Sequence, residues 1–136
     1  MTTYFRKLFN MFYFGKKKSK ELVGVNLHEY EVILNNLIEL LNSVNLGFHA
    51  QILQKLVEFL QKKEVNQFIK SINTIDIWEG SGAVWEVYID DVNKNRRFQM
   101  EIIRLIDLME KTRIMGYGVS PIGKFFRKEL AKMKDK

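Results

Sequence analysis

Few side chains in this chain could make or break bonds. His28 and His49 are the only imidazoles in 136 residues, and there is no cysteine. Thiol nucleophiles, disulfides and Cys-type zinc sites are therefore excluded. His28 is followed by Glu29, Tyr30 and Glu31 with no second histidine at i+4, so the helical zinc-protease pattern is missing. Ser81 stands between Gly80 and Gly82, which is not the G-x-S-x-G nucleophile elbow. That loop also lacks the Lys-Ser/Thr pair that a phosphate-binding loop needs. Glu79, Glu86, Asp90 and Asp91 form an acidic set. Paired carboxylates can hold metal or exchange protons, but nothing in the sequence fixes the distance between these. The expectation is a non-enzyme with no catalytic residue, metal or cofactor. A carboxylate-based hydrolase is the enzymatic alternative.

The same acidic set lies beside Trp78 and Trp85, and aromatics next to charges are common anchors of protein interfaces. Trp78, Glu79, Trp85, Glu86, Asp90 and Asp91 are therefore the candidate partner-binding residues. The competing reading keeps at least one tryptophan in the core, because a small domain needs large aromatics there.

The charge layout points to the partner. The net charge is +6, but residues 1–20 carry six basic side chains and no acid. Residues 21–119 hold ten basic against fourteen acidic side chains, a net −4, and residues 120–136 hold six against two, a net +4. The pI of about 9.5 thus describes the ends and not the acidic middle. An acidic middle disfavours nucleic acid and favours a basic protein partner. The 46% hydrophobic content is enough for a packed core. Abundant Asn, Ile and Lys with only three Ala is the composition of an AT-rich bacterial genome.

The elements that must position these residues follow from hydrophobic spacing. Residues 3–14 put Tyr4, Phe5, Leu8, Phe9 and Phe12 on one helical face. Gly15 ends that segment, and Lys16 to Lys20 reads as a solvated linker. Helices are expected at 27–44, 48–62 and 64–72, the first with Asn26 as N-cap and Glu29 as its capping-box partner. Ile75 to Trp78 and Val84 to Ile89 then alternate around Glu79-Gly80-Ser81-Gly82, which reads as a β-hairpin. A helix from Ala83 to Val92 is the competing reading. After a polar turn at Asp90–Asn95, helices return at 96–114 and after Ser120-Pro121, with Ser120 as N-cap. The last helix has Ile122, Phe125, Phe126, Leu130 and Met133 on its apolar face. The expected fold is mainly α (α+β): four to five helices packed with a small hairpin near residues 75–89. Residues 1–20 would be a basic aromatic segment and linker, and 21–136 one globular domain.

The N-terminal segment has a second use. Phe5, Leu8, Phe9 and Phe12 flanked by Lys16, Lys17 and Lys18 could lie in the plane of an anionic membrane surface. No stretch is long enough to span a bilayer, and the apolar run from Leu8 to Phe14 has no small-residue cleavage site after it. The expected location is cytoplasmic, with membrane association as the alternative.

Residues Trp78 to Ile89 resemble a signature of small uncharacterised bacterial domains, in which Gly-x-Gly and a small residue precede Trp or Asn, then Asp or Glu. Gly80, Gly82, Ala83, Trp85 and Glu86 carry the match, which covers about a third of the chain together with the helix after it. Some such domains look like cytoplasmic immunity proteins that neutralise toxins. The resemblance implies a binding role and no catalytic residues. The basic aromatic N-terminus departs from it.

Overall fold

The computed structural model describes residues 17–78, 83–116 and 119–134. Helix α1 occupies 17–25, and α2 (Leu27–Ser43), α3 (Gly47–Gln61) and α4 (Val65–Ile72) follow at short intervals. A single helical turn, α5 (Ile75–Trp78), and a 3₁₀ turn at Val84–Glu86 lead to α6 (Val92–Lys111) and α7 (Val119–Lys134). There is no strand among the described residues.

The long helices form where the apolar stripe has the helical period. In α2, Tyr30, Ile33, Leu34, Leu37 and Leu41 are all buried, and Leu40 widens the stripe. The three-residue link Val44–Leu46 folds α3 back on α2, burying Leu53, Leu56, Val57 and Leu60. Phe68 of α4 meets the Tyr30 ring edge-on at 4.9 Å. From the other side α6 contributes Phe98, Ile102, Leu105, Ile106 and Met109, packed against α2. Helix α7 adds Val119, Ile122 and Phe126, and Arg127 pairs with Asp107 of α6.

The hairpin is not formed. On a strand, adjacent residues point to opposite faces, yet Ile77 and Trp78 are both buried, at 1% and 3% exposure. They close a helical turn in which Ile77 N–H donates to the Thr74 carbonyl at 3.3 Å. Ala83 and Val84 are likewise buried as neighbours, and a 3₁₀ turn follows instead of a helix to Val92. Residues 87–89 are neither helix nor strand. Within this segment Val87 is half-buried, Tyr88 exposed and Ile89 buried.

Three smaller expectations also change. Residues 17–20 are helical and not a linker, although Lys17, Lys18 and Lys20 are solvated as expected. Ser19 Oγ fastens this helix by donating to the Arg113 carbonyl at 3.0 Å. Asn26 does not cap α2; its Nδ2 reaches back to the Leu22 carbonyl at 2.7 Å and so serves the end of α1. Helix α7 starts at Val119, so Ser120 and Pro121 lie inside its first turn. The 3–14 segment lies outside the described residues.

Candidate partner-binding groove

Buried Ala83 and Val84 fix the start of the segment after α5. The 3₁₀ turn, with Glu86 N–H donating to Ala83 O and Val87 N–H to Val84 O, swings Trp85 towards α7. There its indole stands edge-on to Phe125 and to Phe126, with ring centres 6.2 Å away in both cases. The chain then runs on to Ile89, whose buried side chain anchors it. Ile89 N–H donates to Asn95 Oδ1 at 3.1 Å, and Asp91 Oδ1 accepts from Lys94 N–H at 2.9 Å to cap α6. Asp91 and Asn95 thus hold the segment against the helix it precedes.

Between this segment, α6 and α7 lies a groove of about 530 Å³. Trp85, Tyr88, Val92, Phe125 and Phe126 give it an apolar lining, and its charged lining residues are Glu86 and Glu129. Tyr88 is 74% exposed, Val92 67% and Phe125 49%. Lys132 approaches Glu129 at 3.5 Å, but as an exposed pair it is weak.

Of the six residues expected at an interface, the structure brings Trp85 and Glu86 to this groove. Trp78 is in the core, its indole N–H donating to the Ile72 carbonyl at 2.6 Å. Asp90 is exposed next to Ile89, Asp91 is occupied as a cap, and Glu79 lies outside the described residues. Of the membrane-surface set, Lys17 and Lys18 are exposed on α1, while Phe5, Leu8, Phe9, Phe12 and Lys16 lie outside the described residues. Tyr88, Val92, Gln99, Phe125 and Glu129 are groove residues that the sequence reading did not single out. Phe125 and Phe126 carried a signal: neighbours on a helix diverge by about 100°, so a pair of large rings widens the apolar face beyond a single stripe. Gln99 carried another, a polar residue next to Phe98 and three before Ile102, within the buried stripe.

His28 is exposed, and His49 stands edge-on to Phe48 at 5.9 Å. Among the described residues no group of three or more His, Cys, Asp or Glu is placed to hold a metal ion, and no helix is long and apolar enough to cross a membrane. No family model, curated protein or solved structure matches the chain.

Proposed function

We propose that this protein is a non-enzymatic binding domain that captures a basic protein partner in the Trp85 groove. One observation carries the reading: a contiguous apolar surface of Tyr88, Val92 and Phe125 stays exposed around Trp85, and the charges bordering it are carboxylates. Exposed apolar surface rimmed by polar groups marks interaction sites. Aromatic side chains supply most of the binding energy at such sites. Glu86 and Glu129 steer a basic partner to the groove and reject acidic ones. A toxin with a basic face is a partner of this chemistry, in keeping with the immunity-protein resemblance of the Gly80–Glu86 stretch.

Capture from host lysate tests it, with the full chain run beside Glu86→Lys and Tyr88→Ala. The expected result is one basic protein held by the unaltered chain and released by both variants. Tyr88→Ala should weaken binding by about tenfold or more while stability stays within about 0.5 kcal/mol, because the ring is solvated. Identical capture by all three forms would sink the reading. A membrane-surface role is the second reading, supported by the exposure of Lys17, Lys18 and Lys20 on α1. It requires that Lys17→Glu with Lys18→Glu abolish binding to anionic vesicles, a change that leaves groove capture intact.

A further inference from the structure

Two buried polar atoms beside the groove have no bonding partner among the described residues. The Trp85 indole N–H and the Gln99 side-chain carbonyl Oε1 are shielded from water, and neither has a hydrogen-bond partner among the described residues. Gln99 is 9% exposed, and both residues line the groove. Folded proteins leave few buried polar groups in this condition, and each one calls for an explanation. Here one is a donor and the other an acceptor. The peptide backbone offers the complement of both at every residue. Part of the groove wall is the segment Val87 to Ile89, which belongs to no helix or strand.

Other occupants fit less well. A helix has already spent its interior main-chain groups on itself. A lipid tail has none to offer. A phosphate-bearing ligand would face Glu86 and Glu129.

We propose that the groove takes an extended, lysine- or arginine-bearing peptide segment of the partner. One of its carbonyls accepts from Trp85 Nε1, and one of its N–H groups donates to Gln99 Oε1. Phe125, half exposed and edge-on to Trp85, turns aside to admit the chain. Glu86 and Glu129 take its cationic side chains. This rests on the protein-binding reading and specifies what is bound.

The two tryptophans make the test direct, because the protein has one indole N–H resonance for each. Trp78 already donates to Ile72 O and serves as an internal reference. The probes are acetyl-Lys-Val-Lys-Val-Lys-amide, the same peptide N-methylated at its central residues, and its glutamate counterpart, titrated into the labelled full chain. The first should move the Trp85 indole proton downfield and leave Trp78 in place. The N-methylated peptide should bind about tenfold more weakly, the usual scale of one lost hydrogen bond, and the glutamate peptide should not bind. Gln99→Leu should weaken the first peptide by a similar factor without lowering the melting temperature, since it removes an unpaired polar atom. A merely structural Gln99 would change melting and not peptide affinity. Trp85→Phe, followed through the Gln99 amide resonances, checks the donor separately. If N-methylation and Gln99→Leu both leave affinity unchanged, main-chain pairing is wrong while the groove remains a binding site. If no peptide moves Trp85, the proposal falls, and the binding reading then stands or falls on release of the lysate partner by Glu86→Lys.

Discussion

The Tyr30 hydroxyl is shut inside the core where α2 meets the end of α6. It donates to Thr112 Oγ1 at 2.5 Å, and Thr112 in turn donates to the Leu108 carbonyl at 2.8 Å. Burial away from water pushes the Tyr30 phenol well above its ordinary value of 10.0. Above pH 10 the unfolded chain gives up this proton and the folded chain keeps it. Stability is therefore fully present below that pH and falls as pH rises past it, by about 1.4 kcal/mol per pH unit. Tyr30→Phe should flatten this alkaline slope in urea titrations between pH 9 and 11. At neutral pH it should cost only about 1 kcal/mol, since Thr112 keeps its bond to Leu108. An unchanged slope would place the alkaline sensitivity on another group.

Helices α2, α3 and α6 end in the same way, at residues that are not glycine. Asn45, Lys63 and Arg113 have φ of 63°, 58° and 61°. The N–H groups of Leu46, Glu64 and Ile114 close back on the carbonyls of Leu41, Phe59 and Met109 at 2.9–3.0 Å. This is the Schellman ending, which usually falls on glycine because a Cβ strains the left-handed conformation. Lys63→Gly and Arg113→Gly should each raise stability by about 0.5–1 kcal/mol in chemical denaturation, the gain being trimmed by the greater freedom of glycine in the unfolded chain. Gly116 is constrained differently. A Cβ there would press into the Asn73 side chain, whose Nδ2 already ties α4 to the Ile114 carbonyl at 2.9 Å. Gly116→Ala should lose about 1–3 kcal/mol by overpacking, read as a lower thermal midpoint. These endings were only partly legible in the sequence. The stripes of α2, α3 and α4 located those helices to within a residue or so, because period 3.6 is a strong signal over two or more turns. The bounds of α6 were the poorest: it runs Val92–Lys111 where 96–114 was expected, so the polar turn at Asp90–Asn95 is already helical from Val92. The hairpin was misread because Ile, Val and Trp favour strands only when a neighbouring strand is there to pack against. Here Ile77, Trp78 and Val84 are claimed by the helical core. Trp85 and Glu86 stood out in the sequence and line the groove, whereas Tyr88, Val92 and Glu129 join them only through the fold.

Lysines are exposed on α1, and the charged residues lining the groove are the carboxylates Glu86 and Glu129. Association with a basic partner should therefore slow as salt rises, by an effect on the on-rate more than on the off-rate. Stopped-flow binding at two ionic strengths would read this, and an equal change in both rates would argue against steering. The arrangement of helices has a further consequence in time. Helices α2 to α4 pack on their neighbours in sequence, as α6 does on α7, and α2 against α6 joins these two halves. Each half can assemble with little loop entropy, whereas the Tyr30–Thr112 bond closes a separation of 82 residues. Chains dominated by such local contacts fold quickly, on the order of milliseconds or faster. The seam between the halves is then the last part to close and the first to open, and the core hydroxyl pair becomes the latch of a two-part assembly.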